Sequence, residues 1–154
     1  MTTPTVSLSF PVPLGATFRE TFRRFNVQSD VTERAGQLVY KATGRAVPEA
    51  DKVPEDYTGC TAVLQMRRCH GDSEVLLTFS TDPDSEHGRI TLGEDGTVSL
   101  YLSLTQVAAL SYGDGPGQWR RAVGHMFITF SNGDVLRHFE IHLQLDPGGG
   151  ACHV

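Results

Sequence analysis

The fold is decided by residues 138–145, HFEIHLQL, near the end of the chain. Apolar and polar residues alternate strictly along this stretch: one face carries Phe139, Ile141, Leu143 and Leu145, and the other carries His138, Glu140, His142 and Gln144. Successive side chains of a β-strand point to opposite faces of the sheet, so a period of two predicts a strand with one buried and one solvated face. A helix would scatter the four apolar side chains around its circumference.

The same alternation recurs upstream. Residues 124–130 alternate in the same way, and Asn132-Gly133 predicts a tight primed turn that joins them to 138–145 as a hairpin. Residues 10–13, FPVP, are predicted to be extended. Further strands are predicted at residues 37–41, 61–68, 75–79, 89–92 and 97–102. Residues 103–110 instead have three-residue apolar spacing, with Ser103 or Thr105 available as a cap, which predicts one or two turns of helix.

These segments predict an all-β protein, an Ig-like antiparallel β-sandwich of about seven strands with one short connecting helix and long loop insertions. A chain of 154 residues fits one domain. We place this domain at residues 1–147, with insertions at 26–55 and 111–121, followed by a flexible glycine-rich tail at 148–154.

Composition argues against several classes of partner. The formal net charge is -5, so the chain as a whole has no electrostatic attraction for nucleic acid. Three cysteines without CxxC spacing predict reduced thiols rather than a disulfide framework. The first ten residues do not resemble a signal peptide, and no apolar run approaches the roughly 18 residues of a membrane span. The sequence therefore predicts a soluble protein without nucleic-acid or membrane partners.

Six histidines raise the question of a metal site. His138, Glu140 and His142 share one face of the predicted strand, and His125 could add a ligand from the paired strand. The favoured interpretation is a polar outer face whose histidines meet water or a partner subunit. The pairs Cys69-His70 and Cys152-His153 also resemble ligand pairs, but nothing in the sequence brings them together.

No motif predicts catalysis. A Gly-x-Ser-x-Gly elbow is absent from the sequence, and the glycine-rich residues 113–117 lack the helix and lysine that follow a phosphate-binding loop. The aspartates lie in predicted turns, and their spacing does not match a calcium-binding EF-hand loop. We therefore expect no enzyme, no metal and no other cofactor.

The order of the predicted strands carries a family resemblance. Residues 56–67, DYTGCTAVLQMR, resemble the D-L-T-G-x-x-A-x-x-Q-V-R opening of many small structural proteins of tailed bacteriophages. Residues 75–79, 88–93, 96–110 and the closing hairpin are similar, in order, to the segments that follow in those proteins. The resemblance covers roughly residues 54–147. Those proteins include the N-terminal, virion-anchoring domain of upper baseplate and fibre-attachment proteins. Two departures are the insertion 26–55, which is longer than usual, and residues 111–121, which replace a short P-A-G turn.

This resemblance implies a virion structural protein, assembled in the bacterial host cytoplasm, that binds other tail, neck or fibre subunits. It also implies several copies in the particle or a homo-oligomer. Two alternatives remain open. One is a capsid decoration or head-to-tail connector protein, and the other is a metal- or carbohydrate-binding β-sandwich module.

We expect partner contacts at irregular or polar positions. The candidates are Tyr112, Trp119, Arg120 and Arg121 around the second insertion, His138 and His142 on the polar strand face, and the glycine-rich tail.

Overall fold

Eight strands share one continuous sheet in the computed structural model, which describes residues 5–26 and 31–148. In chain order the strands of the described residues are β1 (Val6–Pro13), β2 (Phe18–Arg23), β3 (Phe25–Asn26), β4 (Val31–Arg34), β5 (Gln37–Tyr40), β6 (Val53–Pro54), β7 (Thr61–Met66), β8 (Leu77–Ser80), β9 (Gly88–Leu92), β10 (Thr97–Leu102), β11 (Arg121–Thr129) and β12 (Val135–Asp146). A 3-10 turn spans Glu49–Asp51, and one α-helix, α1, spans Leu104–Ala108.

The large sheet has the strand order β1-β12-β11-β7-β8-β9-β10-β2. Neighbours are antiparallel except for β1 with β12 and β8 with β9, which are parallel. The two ends of the sheet meet where Phe10 of β1 stacks on Phe22 of β2, with ring centroids 5.6 Å apart. The sheet therefore curls into a partly barrel-like body whose seam is closed by side chains. The all-β prediction is confirmed, whereas a seven-stranded sandwich is not confirmed, because hydrogen bonds join eight strands in a single order.

The core is built from the inward faces of these strands. Alternation along β7 buries Ala62, Leu64 and Met66, and alternation along β10 buries Val98, Leu100 and Leu102. On β12 the predicted buried face is confirmed from Phe139 to Leu145. Burying such alternating side chains removes apolar surface from water, which is the main favourable contribution to folding.

A β-bulge interrupts β12 at His138. Met126 pairs with Phe139 while the next residue, Phe127, pairs with Arg137, so β12 carries one extra residue between them. The bulge turns His138 inward, where the residue is only 1% exposed. The prediction that His138 lies on the polar outer face with Glu140 is therefore wrong.

The β11–β12 hairpin is confirmed, but its turn is not a primed one. The Gly133 N–H donates to the Phe130 carbonyl at 2.9 Å, and the Phe130 N–H donates to the Asp134 carbonyl at 2.8 Å. Gly133 has φ +92, whereas Asn132 is not in the left-handed region. A three-residue loop that ends on one left-handed glycine replaces the two-residue loop that a primed turn would give.

The connecting helix is short, and the first insertion contains short elements of secondary structure. Of the two predicted caps, Ser103 precedes α1, where it forms a reciprocal capping box with Gln106, and Val107 packs this helix against the core. Within the first insertion, β4 and β5 form a hairpin, and β3 pairs with β6. Residues 27–30 of that insertion and residues 149–154 of the predicted tail lie outside the described residues.

Within the described ranges, no helix is both long enough and apolar enough to cross a membrane.

Candidate functional site

Three histidines surround one carboxylate on the outer face of β11 and β12. Nε2 of His70 lies 3.1 Å from Oε1 of Glu140, and Nε2 of His142 lies 3.0 Å from the same oxygen. Nε2 of His125 lies 3.8 Å from Oε2 of Glu140. We call these four residues the histidine cluster.

Strand register places three members of the cluster. His125 on β11 is the direct partner of Glu140 on β12, so their Cβ atoms lie about 5 Å apart on one face. His142 follows Glu140 by two residues and therefore points to the same side. The outer polar face predicted from the alternation of β12 thus holds for Glu140 and His142.

The fourth member, His70, comes from the turn after β7. Beyond the end of β7, Arg67 and Val123 exchange backbone hydrogen bonds of 2.9 and 2.7 Å, which hold the chain beside β11. The turn then places the His70 ring over the His125 ring, with centroids 4.5 Å apart and planes 12° apart. Two residues 55 positions apart in the sequence are thereby stacked on each other.

Gly124, next to His125, allows β7 and β11 to come this close. A Cβ atom on Gly124 would lie 2.3 Å from the Gln65 carbonyl oxygen, which is a backbone atom that cannot rotate away. A side chain at this position would therefore separate the two strands beneath the cluster. Glycine is needed here for close backbone approach rather than for an unusual φ angle.

The electrostatics of the cluster follow from these contacts. The hydrogen bond from His70 lowers the pKa of Glu140, and the neighbouring histidines lower it further. Burial lowers the pKa of His125, and Arg137 and His70 add to this effect while Glu140 opposes it. Glu140 is therefore ionised and His125 neutral near pH 7.

A groove of about 450 Å³ adjoins the cluster between β7 and β11. Val63 of β7 lies directly opposite Phe127 of β11 along it, and Phe127 is 45% exposed. Val135 of β12 is diagonal to Phe127 on the same face and is 56% exposed. We call Val63, Phe127 and Val135 the apolar patch. Arg137, the direct partner of Phe127 on β12, borders these side chains. Exposed apolar side chains grouped on one face and rimmed by polar residues are typical of contact sites.

The candidate contact residues of the second insertion separate into two groups. Tyr112 and Arg120 form a half-exposed pair in which the Arg120 guanidinium lies 4.8 Å from the Tyr112 ring centroid, and Asp114 accepts a 3.0 Å hydrogen bond from Arg120. Arg121 is exposed at the start of β11. Trp119, by contrast, is 2% exposed and belongs to the core.

The expectation that Trp119 offers its side chain to a partner is therefore wrong. The backbone N–H of Trp119 donates to the Ser111 carbonyl at 2.9 Å, and the backbone carbonyl of Trp119 accepts from the Gly113 N–H. These bonds close the insertion on itself, and the indole points inward. Of the strand histidines, His142 lies in the histidine cluster, and His138 is buried against Tyr57.

Part of this site is predicted from the sequence. His125 was anticipated as a possible ligand from the strand that pairs with Glu140, and Glu140 and His142 were placed on one face. His70 was noted only as half of a Cys69-His70 pair in a turn. Its position over His125 depends on the pairing of β7 with β11, which local periodicity does not specify.

Comparison with known proteins identifies no relative: no family model, curated protein or solved structure matches the chain.

Proposed function

We propose that the protein is a bacteriophage virion structural protein that acts as an assembly or attachment adaptor on the tail, at the baseplate, fibre base or neck. It works by binding other virion proteins rather than by catalysis. The observation that carries the binding role is the apolar patch, where Phe127 is 45% exposed between the half-exposed Val63 and Val135. An aromatic side chain flanked by aliphatic ones on a rigid sheet is a suitable anchor for a protein partner.

The phage assignment is supported by the sequence resemblance. The segments that carry it fall on β7, β8, β9, β10 with α1, and the β11–β12 hairpin, in that chain order. The same resemblance supports a finer proposal about the fold, namely an Ig-like sandwich in which the curled sheet forms two facing layers. Ring contacts between β2 and distant strands support such layers: Phe18 lies 6.3 Å from Phe79, and Phe22 lies 4.9 Å from Phe139, between ring centroids.

The test of the assignment is mass spectrometry of gradient-purified virus particles released by the source culture, with tails separated from heads. The proposal expects several copies of the chain in each particle, recovered with the tails. Recovery with the heads would support the capsid decoration or connector alternative and overturn the tail assignment. Absence of the chain from purified particles would overturn both.

The contact surface is tested by a double substitution, Val63→Ser with Phe127→Ser. Both side chains are exposed, so the change removes apolar surface without opening a cavity in the core. We expect the number of copies per particle to fall about tenfold or more, the loss that about 1.4 kcal/mol of contact energy represents. Leu104→Ser is the matched control, since Leu104 is equally exposed but lies on α1 away from the patch. Incorporation of the double variant at the unchanged level would exclude this surface.

A further inference from the structure

We propose that the histidine cluster is a binding site for a divalent first-row metal ion such as Zn²⁺, held by Nε2 of His70, Nε2 of His125 and a carboxylate oxygen of Glu140. The site does not depend on the assembly role, because it uses only residues of this chain.

The spacing of the three side chains fits a metal. Their ligand atoms all lie within 4.8 Å of one another. Bonds of about 2.0–2.2 Å in a tetrahedral site place neighbouring ligand atoms roughly 3.3 Å apart. The His70–Glu140 distance of 3.1 Å and the His125–Glu140 distance of 3.8 Å lie on either side of this value. The two histidine–carboxylate distances therefore need to change by only a few tenths of an ångström, whereas the relation of the two imidazoles to each other has to change more.

The donor set also fits. Two imidazoles with one carboxylate is a ligand set used by zinc enzymes, which keep a fourth position open for water or substrate. Imidazole nitrogen suits Zn²⁺, whereas Ca²⁺ and Mg²⁺ prefer a shell of oxygen ligands. A shared cation accounts for two imidazole rings whose Nε2 atoms both approach the same Glu140 carboxylate.

One movement is required. A metal lies close to the plane of each imidazole ring that binds it, and the nearly parallel, stacked planes of His70 and His125 do not share a common point at the site. The His70 ring must therefore turn out of the stack to complete the site. Its side chain is 50% exposed and lies in a turn, which leaves room for this rotation. His125 and Glu140 are more buried and sit on paired strands, so they form the fixed part of the site.

His142 is a positioning residue. Its Nε2 atom lies 3.0 Å from Oε1 of Glu140, and it is not part of the group whose ligand atoms converge. It fixes the carboxylate that faces the metal. Partners of this kind change metal affinity by roughly 10–100-fold when they are removed.

The experiment titrates the metal-stripped full chain with ZnCl₂ in a calorimeter and records the visible spectrum of the Co²⁺ form. We expect one bound ion per chain and a Co²⁺ spectrum of nitrogen and oxygen ligands without a thiolate charge-transfer band. Glu140→Gln, His125→Ala and His70→Ala should each weaken binding by more than about 100-fold, and His142→Ala by about 10–100-fold.

Two controls test the assignment. His87→Ala removes an exposed histidine outside the cluster and should leave the affinity unchanged. The double variant Cys152→Ser with His153→Ala removes the other ligand-like pair and should also have no effect.

Each of the following results would overturn the proposal. These are no binding of Zn²⁺ at micromolar concentrations, unchanged affinity in Glu140→Gln, and loss of binding in the Cys152 and His153 double variant. A thiolate band would do the same, since it would require a cysteine ligand. His70→Ala alters an exposed turn and Glu140→Gln keeps the shape of the side chain, so at least these two variants should fold. Circular dichroism of each variant confirms this before titration.

Discussion

The Tyr57 hydroxyl lies 2.9 Å from Nδ1 of His138, which joins two residues 81 positions apart in the interior of the protein. Both residues are 1% exposed. Burial raises the pKa of the Tyr57 hydroxyl, which therefore stays protonated. Arg24 donates to the His138 carbonyl at 3.3 Å. The β12 bulge is thus held from inside by a side-chain contact and a backbone contact, and it separates the buried His138 from the outward-facing Glu140.

Tyr57→Phe should destabilise the protein by about 1–3 kcal/mol, because it leaves a buried imidazole nitrogen without its partner while keeping the aromatic ring. Within the described residues, Nε2 of His138 has no hydrogen-bond partner either, so the variant would bury the whole imidazole unpaired. Urea unfolding followed by circular dichroism measures the change. Tyr101→Phe, on the half-exposed side of β10, is the control and should stay within about 0.5 kcal/mol of the wild type. Equal stability of the two variants would contradict the prediction.

Asp95→Asn should reduce the acid sensitivity of the fold. The hydroxyl and the N–H of Thr97 hold the pKa of Asp95 below its ordinary value. As the pH falls, the unfolded state therefore binds a proton at this position before the folded state does. The stabilisation is present above the ordinary carboxyl pKa of 3.8 and is lost as the pH falls through the lowered value.

Urea midpoints measured from pH 7 to pH 3 test this. The wild type should exceed Asp95→Asn in stability at pH 7, and the difference should shrink below about pH 4. Thr97→Val removes the donating hydroxyl and should reduce the contribution of Asp95 to the pH dependence in the same direction. A constant difference across the whole range would show that the Asp95 charge does not contribute.

Cys69 should react with iodoacetamide faster than Cys60. Cys60 is half-buried at the start of β7, and burial, followed by the nearby carboxylates of Asp56 and Glu55, raises the pKa of its thiol. The reactive thiolate is therefore scarce at neutral pH, whereas Cys69 is exposed. Brief alkylation of the full chain at pH 7.5, followed by peptide mapping, gives the rate at each site. Labelling of Cys60 at the rate of Cys69 would be inconsistent with the burial of Cys60.

The parts of the fold that were predicted from the sequence are those that depend on local pattern. The alternation from Phe139 to Leu145 predicts a strand because apolar side chains lie on the buried face and polar ones on the exposed face. The same holds for Ala62 to Met66 on β7. The short helix α1 is predicted from three-residue apolar spacing and a nearby cap residue, Ser103. The pattern that predicts each of these features lies within a few consecutive residues.

The parts that were not predicted depend on which strands become neighbours. The bulge at His138 arises from the register of β12 against β11, and the position of His70 depends on β7 lying beside β11. Residues 10–13 were predicted to be extended, but the full strand Val6–Pro13 was missed, because its prolines argue against a strand. An edge position tolerates prolines, and β1 lies at the edge of the sheet. The histidine cluster combines two of these non-local contacts, which is why its complete composition emerges only from the fold.

Trp119 and Arg120 are adjacent in the sequence but should respond to substitution in opposite ways. Trp119 is a core residue, so Trp119→Ala should cost about 3–5 kcal/mol through lost burial and the cavity left behind. The Arg120 side chain is exposed, and the hydrogen bonds described for it go to Tyr112 and Asp114 of the same insertion, so Arg120→Ala should stay within about 0.5 kcal/mol. Thermal unfolding of the two variants measures both effects. If Trp119→Ala were as stable as Arg120→Ala, the indole would have to lie at the surface, and its role as a partner contact would be restored.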